Sequence, residues 1–320
     1  MNPKVSVVIP TYKRPGHFLK RALESVLSQT YENIELVIVD DNPADSPFRG
    51  EIEQFMESYE NDQRVVYVKN KKNLGGGLAR NEGIARASGD YISFLDDDDK
   101  YLPEKISRQL AFMESNEYDL TFTNLRVHNT EDKLIDYRDF TFIKDFNQSA
   151  LLKAHLMRHI TGTSTFMFRQ EALRKIGGFQ QVRMGQEFML MLHSIEKSLK
   201  IGYLPICEVV QYVHSGERIS NGINKLDGEK EMIQFKKQYF SRFTWREKMF
   251  IRFRHHAVMA ITARRSNMHF VFALHACLAV LNSPIDAVLE PVQYLMKLKN
   301  FNKPATEMYK NEGDVRGLSR

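Results

Sequence analysis

The chain has 320 residues, 42% apolar and 27% charged, enough to bury a sizeable core and ordinary for a globular protein. Its formal charge of +5 hides an asymmetry, because acidic clusters lie in the first two thirds while Lys, Arg and His crowd Lys236 to Arg265, the candidate contact for an anionic partner. Cys207 and Cys277 stand far apart without ligand spacing, which argues against a disulfide framework or structural zinc, and MNPKVSVVIPTY lacks the features of a secretory signal, so the cytoplasm is the expected compartment.

Val5 to Ile9 is a short β-branched run followed by the turn PTYKRPG. Phe18, Leu19, Ala22, Leu23, Val26 and Leu27 then have the spacing of an amphipathic helix. A second buried-strand run, Ile34 to Val39, ends in Asp40-Asp41-Asn42-Pro43, and the pattern repeats: helix Glu51 to Tyr59, strand Val65 to Val68, helix Gly77 to Ala87, strand Tyr91 to Leu95. Strands alternating with helices predict a parallel, doubly wound sheet. In such sheets ligands sit beyond the carboxyl ends of the strands, and Asp40-Asp41 and Asp96 to Asp99 follow two of those ends.

Further on, Asp119 to Ile143 reads as strands with loops, Asn147 to His159 as a helix, Ser164 to Arg169 as a strand and Gln186 to Ser198 as a helix. Long helical patterns run from Asn224 to Lys299, so we expect a domain of residues 1–225 and a basic, amphipathic helical extension of 226–320.

Four consecutive aspartates after an apolar strand repel one another, so either water screens them or a cation holds them. An EF-hand is a poor fit, since Tyr101 stands where its glycine belongs. A hard divalent cation held by one or two carboxylates plus substrate phosphates suits the position, and both readings stay open on the run alone. The triple glycine 75–77 is neither a Walker loop nor a dinucleotide fingerprint, because no Gly-Lys-Ser/Thr follows and Arg80 replaces the last glycine. His155 and His159 have the spacing of a zinc pair but no third ligand, which makes them expected surface residues.

Four motifs in order, VSVVIPTYKRP, SVLSQTYENIELVIVDDNP, NLGGGLARNEGIARASGDYISFLDDDD and GQEFMLMLHSIEKS, resemble a family 2 glycosyltransferase of the GT-A fold over about residues 3 to 220. The resemblance implies a mainly parallel, Rossmann-like sheet flanked by helices. It also implies inverting transfer of a sugar from a nucleotide diphosphate, by preference a UDP-sugar, to a glycan or lipid-linked hydroxyl.

Asp96 and Asp98 would be the DxD carboxylates holding Mn²⁺ or Mg²⁺ on the donor diphosphate, with Asp97 in the variable place and Asp99 capping the next helix or supporting the turn. Asp41 would accept a hydrogen bond from the base and Asp40 tie down its loop, while Pro10, Thr11 and Tyr12 wall the pocket and Arg14 approaches a phosphate. Asn73, Gly75 and Arg80 match the family's NxGxxxARN segment, Arg80 reaching the aspartates or the diphosphate. Glu187 would be the general base, although Met189 stands where the family often has a further acid. His214 would contact metal or phosphate and Arg218 clamp phosphate. A GT-A domain retaining only nucleotide binding is the alternative; intact Asp96, Asp98 and Glu187 argue against it. A nucleotidyltransferase would need a different loop after the first strand.

Phe243 to Arg265 interleaves Trp, Phe, Ile and Met with Lys, Arg and His, the composition of a helix lying on an anionic bilayer. Met268 to Leu281 is apolar but only 14 residues long, short of the roughly 20 that a spanning helix needs. We therefore expect peripheral attachment to the inner face of the cell membrane, with a helical subdomain or oligomer contact as the other reading, and no nucleic-acid partner.

Overall fold

The computed structural model describes residues 2–160, 162–182, 184–213 and 222–301. Their contacts divide the chain into two units, the first within 1–148, 161–182 and 186–214 and the second within 149–160, 183–185 and 215 onward.

In the first unit, β1 (Val5–Thr11), β2 (Ile34–Asp40) and β4 (Tyr91–Phe94) are the expected apolar runs, and β2 is buried at all seven positions. Burial on both faces is what a parallel strand covered by helices requires. Between them come α1 (Gly16–Leu27), α2 (Pro47–Glu57), β3 (Val65–Lys69) and α3 (Gly76–Arg86). In α1, Leu19, Ala22, Leu23 and Val26 are buried at helical spacing.

The chain continues with β5 (Lys100–Tyr101), α4 (Lys105–Asn116), β6 (Leu120–Thr123), β7 (Leu125–His128), β8 (Leu134–Arg138) and α5 (Gln148–Arg158). It returns through β9 (Met167–Arg169), α6 (Gln170–Lys175), α7 (Gln186–Glu196), β10 (Ile201–Leu204) and β11 (Val209–Tyr212). The run Ser164 to Arg169 is only partly a strand, because Thr163–Thr165 forms a 3₁₀ turn in which Thr165 Oγ1 donates to the carbonyl of Gly162 at 2.7 Å. That local bond competes with the ladder.

The large sheet has the order β10-β6-β9-β4-β1-β2-β3, with β9 antiparallel to both neighbours and the other pairs parallel. Thr11 lies opposite Asp40 and Val8 opposite Phe94, so Thr11, Asp40 and the residues after Phe94 emerge at one sheet edge. A smaller sheet, β5-β11-β7-β8, carries Tyr212 at the end of β11.

The second unit contains α5 from Ser149 onward, α8 (Gly222–Lys237), α9 (Trp245–Arg265), α10 (His269–Asn282) and α11 (Pro284–Phe301). Helix α9 starts with a capping box between Thr244 and Glu247. Its Phe250, Ile251, Phe253, Met259 and Ala263 are buried, so the helix expected to lie on a bilayer instead uses its apolar residues as core. His155, expected at the surface, is fully buried, its Nδ1 accepting the amide of Ile160 at 3.0 Å. Among the described residues no single helix is long and apolar enough to cross a membrane.

Candidate active site

The four aspartates turn back on themselves, the amide of Asp99 donating to the carbonyl of Asp96 at 3.0 Å, and this gives each carboxylate a different environment. Asp96 is the most open and is paired with Arg80 Nη2. Asp97 is buried, accepting from Thr11 Oγ1 at 2.7 Å and Arg14 Nε at 3.3 Å. Asp98 meets Arg14 Nη2 at 3.1 Å. Asp99 does not cap a helix: it accepts from the amide of Tyr212 at 3.1 Å and Ser164 Oγ at 3.3 Å, fastening β11 and the 3₁₀ turn to the run.

Burial, then the charge of Asp98, pushes Asp97 up to about 7 and Asp99 well above the ordinary aspartate value. The repulsion is eased by Arg80 on Asp96 and by Arg14, which meets both Asp97 and Asp98, while burial favours the protonated form of Asp97 and Asp99.

Those arginines come from separate elements. Arg14 precedes α1, Arg80 lies on α3, and Arg21 on α1 donates to the backbone carbonyl of Asp98 while lying 3.8 Å from the centre of the Tyr212 ring. Phe18 lies between the guanidinium groups of Arg14 and Arg21, at 5.5 and 5.7 Å. Arg21 and Tyr212 are missing from the sequence-based site. The three-residue spacing of Phe18 and Arg21 on one helix was the only local signal.

The second acidic pair is structural in its visible contacts. Asp40 faces Arg49 Nε at 3.0 Å and accepts from Tyr67 Oη at 2.7 Å, as expected for a loop anchor. Asp41 is also buried and accepts from Asn70 Nδ2 at 2.8 Å and from the amides of Leu74 and Gly75 at 2.9 Å each. It therefore fixes the turn into α3, where Gly75 has φ +83°, a left-handed conformation that glycine adopts without a Cβ clash. Pro10 and Thr11 end β1, Tyr12 is 39% exposed beside them, and Asn73 is exposed in the turn.

Helices α3 and α7 meet at their N-termini. A Cβ on Gly77 would lie 3.2 Å from the carbonyl oxygen of Gln180 and 3.2 Å from the side chain of Gln186, so only glycine allows this approach without a shift. Gln186 Oε1 accepts from Arg80 Nη1 at 3.3 Å, and Arg80 also donates to the carbonyl of Gly76 at 3.0 Å. The next residue, Glu187, is half-buried in the first turn of α7. Burial raises its pKa against the lowering effect of Arg80, whose charge acts on it together with those of Asp96 and Arg138. A carboxyl shifted upward at a helix start, in the field of the aspartates, is suited to accepting a proton.

Asn81 is structural: it donates to the carbonyl of Phe179 at 2.8 Å and accepts the amide of Phe179 at 2.9 Å. His214 and Arg218 lie outside the described residues. Among the described residues no three His, Cys, Asp or Glu side chains form a ligand cluster. The available donor pair is Asp96, partly open, and Asp98, buried beside Arg14, which fits a hard cation that takes its remaining oxygens from a bound diphosphate and water.

The family model for glycosyl transferase family 2 matches residues 6–177. An uncharacterized glycosyltransferase of Methanocaldococcus jannaschii is 29% identical over 62% of this chain and 67% of its own length. The Escherichia coli UDP-Glc:alpha-D-GlcNAc-diphosphoundecaprenol beta-1,3-glucosyltransferase WfaP is 27% identical over 72% of this chain and 85% of its own. With an uncharacterized glycosyltransferase of Rickettsia felis the identity is 41%, but this chain spans only 21% of that relative's length. The fold is that of S. aureus TarS 1–349, solved with UDP-GlcNAc, at a TM-score of 0.58 and 16% identity over 87% of this chain and 89% of that one, which makes the first unit a GT-A fold. With more than half its length matched by the family model, the chain belongs to glycosyl transferase family 2.

Proposed function

We propose that the chain transfers a sugar, with inversion, from a UDP-sugar to a hydroxyl of a glycan or lipid-linked acceptor in surface-polysaccharide assembly at the inner face of the membrane. The observation that carries this reading is the raised carboxyl of Glu187 in the same electrostatic neighbourhood as Arg80 and Asp96. UDP-GlcNAc in the TarS structure and the diphosphoundecaprenol acceptor in the name of WfaP support the donor and acceptor classes.

In this reading Glu187 takes the proton of the acceptor hydroxyl as its oxygen attacks the anomeric carbon, and the bond from that carbon to the diphosphate breaks. Arg80 and Arg14 turn from Asp96 and Asp98 to the diphosphate and bind the charge that grows on the leaving group. Asp96 and Asp98, so released, would hold Mn²⁺ or Mg²⁺, which would further neutralise that charge. The base lies against the β1 end, at Pro10 to Tyr12, and the turn that Asp41 holds.

The test is release of nucleoside diphosphate from a panel of nucleotide sugars, with and without Mn²⁺, by the native chain and Asp98→Ala. Metal-dependent release from a uridine donor, lost in Asp98→Ala, is expected. Equal release in the presence of chelator would remove the metal role, and no release from any donor with membrane extract would remove the transfer itself.

A further inference from the structure

Along α10 and along α11 as far as Met296, the exposed side chains carry no Asp, Glu, Lys or Arg. Phe270 is 82% exposed, Leu281 76%, Val288 64% and Leu295 63%, and Leu274 and Ile285 are also exposed. From Met268 to Met296 the sequence contains no Lys or Arg and only two acids, Asp286 and Glu290. Neither acid faces outward. Asp286 is buried, accepting from Ser283 Oγ at 2.5 Å with Arg246 Nη2 at 3.4 Å. Glu290 is held by Arg158 of α5 at 2.7 Å and Arg254 of α9 at 3.3 Å. Among the described residues of this stretch, no exposed side chain is Asp, Glu, Lys or Arg.

We infer that the α10–α11 face is a docking surface for an anionic phospholipid bilayer, entered in the plane of the interface. The two helices are bent by 105° at their junction and α10 has 14 residues, about 21 Å at 1.5 Å per residue, against a hydrocarbon core of roughly 30 Å. They suit shallow burial of a side, not a crossing. The charge pattern selects the partner: Arg264 and Arg265 are exposed at the end of α9 just before the face, and Lys297 and Lys299 follow Met296 in sequence. Cations at both ends of an uncharged apolar stretch complement anionic headgroups flanking acyl chains. A protein partner would call for a polar, hydrogen-bonding rim, and the polar groups this stretch exposes are few, chiefly His269, Gln293 and Tyr294.

The docking does not depend on the transfer chemistry, so vesicle binding is measured without substrate and either reading can fail alone. The full chain is floated with vesicles of phosphatidylcholine alone or mixed with phosphatidylglycerol, alongside Leu281→Glu/Val288→Glu and Arg264→Gln/Arg265→Gln. Native protein should float with the anionic vesicles. The Glu pair should weaken binding at least about tenfold, and the Gln pair about tenfold on anionic vesicles only. An unchanged melting temperature and native oligomeric state in both variants keep a loss of binding from being a loss of fold. A polarity-sensitive dye on Cys277, exposed on α10 while Cys207 is buried, should shift to the blue with vesicles. No flotation of the native chain overturns the proposal, as does flotation of the Glu pair equal to native. A native dimer that the Glu pair splits, with no vesicle binding, gives the face to a second copy instead.

Discussion

Two regions join carboxylates to arginines and produce surfaces of opposite polarity. At the strand ends of the first unit, Asp96 to Asp99 are concentrated and Arg14, Arg21 and Arg80 converge on them from α1, its preceding loop and α3. The result is a polar edge laced with ion pairs. In the second unit, Asp286 and Glu290 are spaced by one helical turn, and arginines of α5 and α9 draw them inward. There the same pairing removes charge from the outer surface. What an ion pair does for function therefore depends on which side of the helix or turn it leaves bare, more than on its own strength, which is modest when partly solvated.

The largest expected effect lies at the first of these regions. Glu187→Gln keeps the shape of the side chain but cannot accept a proton, so turnover should fall about 10³-fold, with nucleotide affinity nearly unchanged in a titration. Because burial raises the carboxyl above its ordinary 4.5, the acidic limb of the native pH–rate profile should show an apparent pKa above that value: protonation from below removes the base, and activity returns as pH rises. An undiminished Glu187→Gln enzyme would leave the charge cluster without a base.

Next in size is Arg80, which links Asp96, Gln186 and the carbonyl of Gly76. Arg80→Met should cost roughly 10- to 100-fold in kcat/KM, equivalent to about 1.5–3 kcal/mol for a charge-assisted hydrogen bond. Arg80→Lys should recover part of the loss in donor affinity, since the charge returns without the planar fork. Equal activity in all three proteins would mean that the pair is only structural.

Breaking the second region costs stability instead. Glu290→Gln leaves Arg158 and Arg254 sharing a neutral partner, and urea unfolding should show a loss of about 1–2 kcal/mol. Arg158→Met and Arg254→Met each leave one arginine on Glu290, so each should lose less than Glu290→Gln. A neutral effect of all three would show that the inward turn of α11 comes from packing alone.

Strands β1, β2 and β4 are continuous β-branched or apolar runs buried on both faces, so composition and burial agree, and their ends fall within two residues of expectation. Four identical letters, however, do not tell Asp97 and Asp99, shifted upward by burial, from Asp96, partly open beside Arg80, and Asp98, buried beside Arg14. Arg21 and Tyr212 meet across most of the first unit, a long-range contact with no local spacing. In α9 the mixture of apolar and basic residues is common to a surface helix and a packed one; which it is depends on the residues of α10 and α5 opposite, not on α9. The uncharged face then falls on α10 and α11, where periodicity alone reads as core.

Lys105 is the reverse case, a buried amine with no carboxylate partner among the described residues. Its side chain is fully buried at the start of α4, Nζ lying 2.5 Å from Ser93 Oγ and 3.1 Å from Tyr101 Oη. Burial alone lowers its pKa well below 10.5. An unfolded chain restores the ordinary value, so at any pH between the two the unfolded state binds an extra proton, and stability falls as pH is lowered through that window. Lys105→Met removes the ionisable group while Ser93 keeps donating to the carbonyl of Phe166 at 2.7 Å and Tyr101 to the carbonyl of Phe94. The variant should therefore stay within about 1 kcal/mol of native stability near the top of the window and gain on the native protein as pH decreases, in urea unfolding measured across that range. Parallel curves for the two proteins would mean that Lys105 keeps its proton when buried, and that a hydroxyl pair can do for a cation what arginines do for the aspartates.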